Sequence, residues 1–591
     1  MIINEMDLSD EVIVKSGKLK SAVWNDFDRV RKGETHIAIC RHCKKRLSGS
    51  SSSGTSHLRN HLIRCRRRNG GVLAHCSVRG KKKEERFDEQ RKNEEALSVV
   101  NVRYEHDVVV NAGLDQRRSR FDLARMIILH GYPLTIVEDV GFRAFVRNLE
   151  PLFELVAFER VESDCMEICA KEKHKIFEDL DKLPGKISIS VDVWTGSGSD
   201  DEFLCLTAHY IDETWEVKKR VLNFFMVDES GETLAEVVMT CLMEWDIDRK
   251  LFAMASSHAP SFGEDVANKI RDRLSQNKFL YCNGQLFDVS CGVSVVNQMT
   301  QDCLQDCGET IEKIRFVNVD DPTRWDTTCA MLETALERKN DDLESVSDLE
   351  WERLATVVGF LRVFVEVINA FTRSHFLSAN MYFPELCDVH LRLIEWSKNQ
   401  DEFVSSLAVN MRKRFDEFWD KNNLVLAIAT ILDPRFKMKL VEYYYTLFYD
   451  SSASELIEDI SECVKALYNE HSVGLLLSSS DWQENHDHHH HHQSNDSKSE
   501  LEKYLEEPLF PRNSYFDVLN WWKVHTPRYP VLSMMARNVL AIPMLNVLPE
   551  EDAFKMARRR RVSETWCSLR PSTVQALMCA QDWIKSELES S

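Results

Sequence analysis

Four potential metal ligands lie near the N-terminus of the chain in two closely spaced pairs. Cys40 and Cys43 are separated by two residues, and His61 precedes Cys65 by four positions. Two thiolates on a tight turn, together with a histidine and a thiolate one helical turn apart, can close a tetrahedron around Zn²⁺. The spacing predicts one structural zinc ion held by these four residues, with His57 as the alternative to His61.

The segment that carries these ligands is small. The run HIAIC predicts a short strand leading into Cys40, and Trp24 and Phe27 are expected to cover the metal. A module of about fifty residues has little core, so zinc binding would supply most of its folding free energy, roughly 10–16 kcal/mol in structural zinc fingers.

A single carboxylate, Asp192, is set into the strand-like run KISISVDVWTGSGSD. Apolar residues alternate with polar ones through residues 187–193, and Thr195 and Gly196 end the run. A lone aspartate near a strand end is most often a turn or cap residue, whereas metal-dependent phosphoryl transfer needs several carboxylates around two Mg²⁺ ions. The role of Asp192 therefore depends on whether other acids accompany it.

Charge is spread unevenly along the 591 residues, whose net charge is −20. Residues 59–83 carry nine arginines and lysines and no acid, so the rest of the chain is still more acidic. A basic block at one end of an acidic protein indicates an anionic partner held at that end.

The bulk composition excludes several classes of protein. No apolar run of about 18 residues is found, and the N-terminus lacks the pattern of a secretory signal, so no membrane partner is expected. Seventeen cysteines without such a signal indicate reduced thiols, and Cys205, Cys241 and Cys329 are interpreted as small core residues. Nothing in the sequence predicts a small-molecule substrate.

Composition and periodicity divide the chain into eight segments. Gly131 and Pro133 interrupt the first helical pattern, and the runs FLCLTAHYID and VKKRVLNFFMVD predict a hairpin. The predicted segments are a tail (1–18), the Cys/His module (19–68), a charged linker (69–118), a helical region (119–185), a mixed α/β part (186–296), a long helical part (297–477), a disordered linker with His488–His492 (478–500) and an apolar helical end (501–588).

The N-terminal module resembles a BED zinc finger. Trp24 and Phe27, the two cysteines of CRHC, the run GTSHLRNH and Cys65 carry the resemblance. It implies binding to double-stranded DNA, with the basic residues of the helix as phosphate clamp or reading head. The candidate DNA contacts are Arg59, Arg64, Arg66, Arg67 and Arg68. Alternatively, Arg66–Arg68 and Lys81–Lys83 serve only as a nuclear import signal.

The remainder resembles the hAT transposase family in its plant, BED-finger form. The motifs, in order, are LARMIILHGYPLTIVEDVGFRAFVRNLEPLF, ISVDVWT, DDPTRWDTT, NNLVLAIATILDPRFKMKLV and VLNWWKVHTPRYPVLSMMARNVLAIP. The resemblance implies an α/β plus all-α fold: the zinc finger, an RNase H-like core with a large helical insertion, and a C-terminal helical dimerisation region.

Active members of the family use three acids to hold two metal ions. Asp192 falls on the first, but Ser257 and His258 stand where the family has an Asp-Asn pair. Glu551, or Glu550, falls on the third position. The nearby Cys-x2-His motif keeps Cys291 and Asn297, whereas Ser294 replaces its histidine and Gln298 the usual leucine; Glu264 and Asp265 are the nearest substitutes for the missing acid. Asp192, Ser257 and Glu551 are therefore expected to be relic positions without catalysis.

Two further groups of residues are candidate DNA contacts, the first from the resemblance and the second from its positive charge. Arg324 and Trp325 match the Arg-Trp motif that relatives use at a flipped base or hairpin end, or Trp325 simply packs among helices. Arg558–Arg561 either contact phosphates and aid nuclear import or form a solvated helix face.

The apolar end resembles the region through which relatives pair, and an intrachain core is the alternative. The predicted dimer contacts are Trp521, Trp522, Tyr529, Leu532 and Leu540.

The sequence thus predicts a nuclear, zinc-dependent DNA-binding protein derived from a hAT transposase. It is expected to be a homodimer that acts as a transcriptional or chromatin regulator and not as an enzyme. The alternatives are an active transposase, and a protein-interaction scaffold whose finger does not bind DNA.

Overall fold

The computed structural model describes most of the chain and divides it into two compact units. The units are Met1–Leu123 with Thr135–Val161, and Ala124–Leu134 with Glu162–Ser591. The described residues are 12–13, 22–32, 35–41, 46–48, 58, 61, 114–196, 201–227, 233–256, 264–276, 279–315, 320–338, 346–373, 378–480, 498–513, 516–544, 553–554 and 560–589.

The N-terminal module is built on a small antiparallel sheet. Its strands are β1 (Val12–Ile13), β2 (Phe27–Lys32), β3 (Thr35–Cys40) and β4 (Arg46–Ser48), hydrogen-bonded in that order. A 3-10 turn, Ala22–Asp26, leads into β2. The strand predicted before Cys40 is therefore confirmed as β3.

The helices that follow the module begin with α1 (Gln116–His130) and α2 (Val140–Leu149). Gly131 adopts φ +66°, a conformation that favours glycine, and so ends α1 where the sequence predicted a break. No residue of α2 is buried, and Val140, Phe145 and Leu149 are more than half exposed.

A mixed sheet lies at the centre of the second unit. Its strands are β5 (Ile187–Gly196), β6 (Glu202–Ile211), β7 (Val217–Met226), β8 (Leu251–Ser256) and β9 (Asp288–Ser290). Their order is β7-β6-β5-β8-β9, with β5 antiparallel to β6 and parallel to β8. The predicted hairpin is confirmed as β6–β7, and LFAMAS forms β8.

The central strand β5 is buried along most of its length, and four helices accompany the sheet. These helices are α3 (Phe158–Lys182), α4 (Leu234–Glu244), α5 (Glu264–Ser275) and, from the end of the chain, α18 (Pro571–Glu589). The indole Nε1 of Trp583 on α18 donates to the carbonyl of Val221 on β7 at 2.7 Å. The C-terminal helix is thus part of the α/β core.

A long helical body interrupts this core after β9. Fully buried aromatic residues such as Phe364, Phe415 and Trp419 hold its helices together. The helices are α6 (Gly292–Asp306), α7 (Gly308–Arg315), α8 (Trp325–Glu337), α9 (Asp348–Arg373), α10 (Tyr382–Ser397), α11 (Glu402–Ile431), α12 (Lys437–Tyr449) and α13 (Ala453–Ser480).

The chain then returns to the sheet through short helices with clear start signals. Ser499 and Glu502 form a capping box at the start of one helix, and Pro530 occupies the first turn of another. The elements are α14 (Glu500–Glu506), α15 (Val518–His525), α16 (Pro530–Leu540), β10 (Arg560–Val562) and α17 (Glu564–Cys567), followed by α18. The predicted α/β plus all-α fold is confirmed.

One described helix, α9, is long and apolar enough to cross a membrane by length and composition alone. Its apolar stretch is interrupted by Arg362 and Glu366, so it is not an uninterrupted apolar run of the kind that the sequence was searched for. Half of this stretch is buried, and Leu354, Leu361 and Phe364 belong to the core of the helical body. The helix has the packing of a core helix.

Candidate metal module and candidate catalytic edge

Two of the predicted zinc ligands are described, and both lie around Phe27. Strand register places Phe27 on β2 opposite Cys40 on β3, and both side chains are buried. The ring of His61 is half-buried and lies 5.7 Å from the ring of Phe27, measured between centroids. Cys43, Cys65 and His57 fall outside the described residues, so the complete ligand set stays a prediction.

The core around these two ligands consists of few residues. Trp24 packs edge-on against Phe27 with 6.5 Å between ring centroids, and Leu58 is fully buried beside them. A buried thiol and an imidazole that share one aromatic neighbour fit the donor types of a structural zinc site. In the described part of the chain no group of three or more His, Cys, Asp or Glu residues is arranged to hold a metal ion.

The candidate DNA contacts lie outside the described residues. Arg59, Arg64 and Arg66–Arg68 are all in this group. Two arginines of the module contact other residues of the module: Arg29 lies 5.6 Å from the ring centroid of Trp24, and Arg41 pairs with Asp28 at 2.9 Å.

Asp192 lies in the middle of the main sheet. It is 5% exposed and pairs in register with Cys205 on β6. Alternation along β5 puts Ser188, Ser190 and Asp192 on the same face. The sequence placed this carboxylate on a buried strand, and the structure agrees.

The polar residues beside Asp192 bring no positive charge to it. The hydroxyl of Ser190 and Nε2 of His209 are 2.9 Å apart in a buried hydrogen bond. Burial lowers the pKa of His209 well below its ordinary value, so this imidazole is neutral at pH 7. Asp192 thus has a neutral histidine and serine on its own face of the strand.

The carboxyl ends of the parallel strands meet in one row next to Asp192. Val191 pairs with Ser256 at the end of β8, and Ser256 pairs with Ser290 at the end of β9. The position of the expected second acid, residue 257, follows Ser256 directly in the chain and carries serine. Ser257 and His258 lie outside the described residues, as do Glu550 and Glu551.

The segment with the expected third acid is anchored at both ends to α6. At one end, the backbone N–H of Gly292 donates to the carbonyl of Met544 at 3.1 Å. At the other end, Nδ2 of Asn297 donates to the carbonyl of Ala553 at 3.2 Å. Met544 and Ala553, the described residues on either side of this segment, therefore both lie at the N-terminal end of α6.

The Arg-Trp pair lies next to the same segment. Trp325 is fully buried, its Nε1 donates to Oδ1 of Asn297 at 2.9 Å, and its ring packs on Phe554. The guanidinium of Arg324 binds the carboxylate of Asp326 at 2.6 Å. Trp325 therefore packs among the helices, as the alternative interpretation predicted. A DNA contact by Arg324 or Trp325 stays a prediction.

Most of the predicted dimer contacts lie inside the chain. Trp522, Tyr529, Leu532 and Leu540 are at most 1% exposed, and all four belong to the core shared with the helical body. Nε1 of Trp522 donates to the carbonyl of Leu432 at 2.9 Å. These four residues present no surface to a partner here, which corrects their assignment and agrees with the intrachain alternative.

The fifth predicted contact, Trp521, is only partly buried. Its ring stacks on His525 with centroids 3.9 Å apart. Val524 lies on the same side of α15 and is 66% exposed. This helix face is an exposed apolar surface of the C-terminal region.

The arginine run is not a helix face where it is described. Arg560 and Arg561 lie in β10, which runs parallel to β5 and pairs with Trp194–Gly196. The sequence analysis proposed no strand here, and the solvated-helix alternative is wrong for these two residues. Their strand continues the row of parallel strands beyond Asp192.

Three buried or half-buried asparagines join the separate segments, and the sequence analysis gave none of them this role. Oδ1 of Asn422 accepts from the N–H of Ser290 at 2.9 Å, and Oδ1 of Asn538 accepts from the N–H of Lys186 at 2.8 Å. Asn297 connects Trp325 to Ala553. Each of these asparagines replaces an apolar residue in a helical pattern of apolar residues. Because buried polar groups are hydrogen-bonded, this pattern could have indicated from the sequence that each one has a hydrogen-bond partner.

Comparisons with known families agree with this architecture. Four family models match: a BED zinc finger at residues 21–68, the ZBED1 RNase-like domain at residues 190–286, a hAT-like transposase, RNase-H fold at residues 380–471, and the hAT family C-terminal dimerisation region at residues 500–584. The second covers the main sheet from β5 to the turn before β9, and the third covers α10–α13 of the helical body.

The fold and these matches define a transposase-type chain with an N-terminal BED finger. The protein is 32% identical to zinc finger BED domain-containing protein RICESLEEPER 1 of Oryza sativa subsp. japonica, over 96% of this chain and 88% of the relative. It is 29% identical to DAYSLEEPER of Arabidopsis thaliana, over 98% and 89%. A Zea mays protein named for the AC transposase is 26% identical, over 96% and 76%. The chain belongs to this family of hAT transposase-related BED zinc finger proteins.

Proposed function

We propose that the protein is a nuclear, zinc-dependent DNA-binding protein that has lost DNA cleavage and acts as a homodimeric regulator of transcription or chromatin. One observation carries the proposal. A BED-type finger is joined to an RNase H-like sheet in which Asp192 keeps its place and residue 257 is serine. Binding needs the finger, whereas cleavage needs the missing carboxylate.

The zinc site supports the binding half of the proposal. Cys40 and His61 are grouped around Phe27, and Cys43 and Cys65 follow them at the spacing of a zinc finger. When bound, the ion would hold the strand that ends at Cys40 against the helix that carries His61. The basic residues from Arg59 to Arg68 would then be presented together to DNA phosphates.

The loss of cleavage rests on the chemistry of metal ligands. Two Mg²⁺ ions need several oxygen donors of high charge, and a serine hydroxyl at position 257 is a poor replacement for a carboxylate. The neutral His209 and Ser190 on the face of Asp192 add no acidic group. Asp192 and Glu551 without the second acid would leave the ions without enough negative charge.

Pairing of two copies would raise the affinity for DNA. One finger makes few phosphate contacts and binds weakly at physiological salt, whereas a second finger in a dimer binds intramolecularly and raises avidity by roughly 10²–10⁴. The match to the hAT dimerisation region and the exposed face of α15, with Trp521 and Val524, support this part.

The DNA-binding test uses zinc-loaded full-length protein and a pool of duplex DNA. We expect binding that weakens as salt rises, and that is reduced at least tenfold by the triple change of Arg66–Arg68 to alanine. The triple change of Lys81–Lys83 to alanine is the matched control, because it removes equal charge outside the module. If DNA binding survives the change of Arg66–Arg68 but not the change of Lys81–Lys83, the proposal that the zinc finger binds the DNA would be contradicted.

The cleavage test uses the same preparation with Mg²⁺ or Mn²⁺. The wild-type protein is expected to leave supercoiled and end-labelled DNA intact, and Asp192→Asn to behave identically. Cleavage that disappears in Asp192→Asn would establish an active transposase and overturn the proposal.

The dimer test is a mass measurement by light scattering. We expect twice 68.6 kDa for the wild type and a monomer for Val524→Arg. Phe145→Arg, which places the same charge on the exposed helix α2, is the control and should remain a dimer. Deletion of residues 501–591 is unsuitable, because β10 and α18 belong to the main sheet and its cover.

A further inference from the structure

Two thiols from distant parts of the chain meet at the edge of the helical body. Cys282 belongs to the 3-10 turn Tyr281–Gly284 between α5 and β9, and Cys463 lies on α13. Their Sγ atoms share a hydrogen bond at 3.9 Å, although 181 positions separate them in sequence. The pair spans the boundary between the RNase H-like part and the helical body.

The turn around Cys282 is held in an uncommon backbone conformation. Cys282 and Asn283 have φ values of 47° and 51°, in the left-handed region that few residues other than glycine adopt. The N–H of Cys282 donates to Oε2 of Glu470 at 2.8 Å, so the turn is tied to α13 through its backbone as well. The surrounding structure keeps the Cys282 sulfur directed at Cys463.

The two thiols differ in access to solvent and in acidity. Cys282 is 7% exposed, whereas Cys463 is half-buried. The contact with the Cys282 sulfur lowers the pKa of Cys463, and the same contact together with burial raises the pKa of Cys282. Cys463 is therefore the more nucleophilic and more accessible member, and Cys282 is suited to resolve a mixed disulfide.

We propose that Cys282 and Cys463 form a reversible redox modification site, which closes as a disulfide under oxidising conditions and joins the turn before β9 to α13. This site is independent of the function proposed for the finger. Closing requires the sulfurs to approach from 3.9 Å to the bond length of about 2.05 Å, a change within reach of small rotations of the two side chains.

Glutathione disulfide is the oxidant class that fits this chemistry. The Cys463 thiolate attacks one sulfur of glutathione disulfide, and one glutathione leaves as its thiolate. The Cys282 thiol then loses its proton to solvent, and its sulfur attacks the Cys463 sulfur, releasing the second glutathione. The protein loses two thiol hydrogens, and the oxidant is reduced to two molecules of glutathione.

In the test, full-length, zinc-loaded protein is incubated in glutathione buffers in which an increasing fraction of the glutathione is present as the disulfide. After acid quenching and alkylation, peptide mass spectrometry should detect a disulfide peptide that joins residues 282 and 463. Its yield should rise with the oxidised fraction and fall again when reduced glutathione is restored. Circular dichroism confirms that the protein remains folded throughout.

Two single variants test the order of attack. Cys282→Ser should accumulate glutathione on Cys463, because no resolving thiol remains, whereas Cys463→Ser should leave Cys282 at least tenfold less modified. Cys579→Ser, which removes a buried thiol of α18, is the control and should form the disulfide normally. Cys282→Ala repeats the first arm if the serine variant fails to fold.

No peptide joining residues 282 and 463 at the most oxidising ratio, or equal glutathionylation of both cysteines in the single variants, would overturn the proposal. Disulfides confined to Cys40, Cys43 or Cys65 would do the same, since they would indicate zinc loss and not this site.

Discussion

The N-terminal module and the main body are stabilised by different means. The core of the module contains Val23, Trp24, Phe27, Ala38, Cys40 and Leu58, whereas the body buries whole tryptophans such as Trp325, Trp419 and Trp522 in one continuous cluster. A small core cannot offset the entropy of ordering the chain, but a large one can. Metal binding should therefore decide the folding of the first region, and side-chain packing that of the second.

Zinc removal should have the largest effect, and it should be confined to the module. Stripping the metal, or changing Cys43→Ser, is expected to abolish a folding contribution of roughly 10–16 kcal/mol and unfold the module, since little else holds it. Hydrogen exchange should show loss of protection in residues 22–48 and none in β5–β8. A module that stays protected without zinc would break the comparison.

Truncation of a core tryptophan should have the next largest effect, and it should destabilise the body. Trp522→Ala removes a fully buried ring and the hydrogen bond to the carbonyl of Leu432, at an expected cost of about 3–5 kcal/mol. Val524→Ala, two residues along on the exposed side of α15, should change stability by less than about 0.5 kcal/mol. Urea denaturation monitored on β-sheet circular dichroism measures both, and equal costs would contradict the burial of Trp522.

A fall in pH should lower the free energy of unfolding of the main body through protonation of His471. Its Nδ1 donates to the carbonyl of Leu467, its Nε2 accepts from Asn538, and burial lowers its pKa to about 4. The unfolded chain therefore binds this proton more readily, and stability that is complete above pH 6.5 is lost as the pH falls towards 4. The loss should be about 3 kcal/mol, at 1.36 kcal/mol for each pKa unit.

Substitution of the histidine isolates this contribution from other acid effects. His471→Gln should lower stability at pH 7 and flatten its dependence on pH between 6.5 and 4, because the side chain no longer titrates. Denaturation midpoints measured across that interval provide the test. An unchanged slope in His471→Gln would show that other groups cause the acid sensitivity.

The smallest expected effect is that of the exposed ion pair in the module. Arg41 and Asp28 are 2.9 Å apart, but both are well exposed, so Asp28→Ala should cost about 0–1 kcal/mol. The rate at which a chelator removes zinc should therefore change less than about fivefold. A larger acceleration would mean that the module depends on surface charge as well as on its metal.

The sequence predicted local elements well where one periodicity dominated. The β6–β7 hairpin, β8 and the break at Gly131 all follow from alternation, apolar runs and turn residues. It could not decide what the apolar face of α15 and α16 packs against, because the same pattern suits a partner or the chain's own core. Burial of Trp522, Tyr529 and Leu532 required knowledge of the helical body.

The sequence predicted the central residue of the candidate catalytic site, Asp192, but not the elements and side chains around it. Asp192 could be identified because a carboxylate in a strand of apolar residues is conspicuous. The strand β10 could not be identified from the sequence, because the run around Arg560 is typical of a surface segment. It forms a strand by pairing with β5. Asn297 and Asn422 act across distances in sequence that local patterns do not reach.

The way in which α18 closes the main sheet bears on how the protein is made. The N–H of Val221 on β7 binds the carboxylate of Asp582, which is 361 residues further along the chain. At the usual ribosomal speed of about 5–20 residues per second, roughly 20–70 s pass between the synthesis of these two residues. During that interval the β6–β7 hairpin has been synthesised without its covering helix, so the apolar face that α18 covers stays exposed until the C-terminal helix is made.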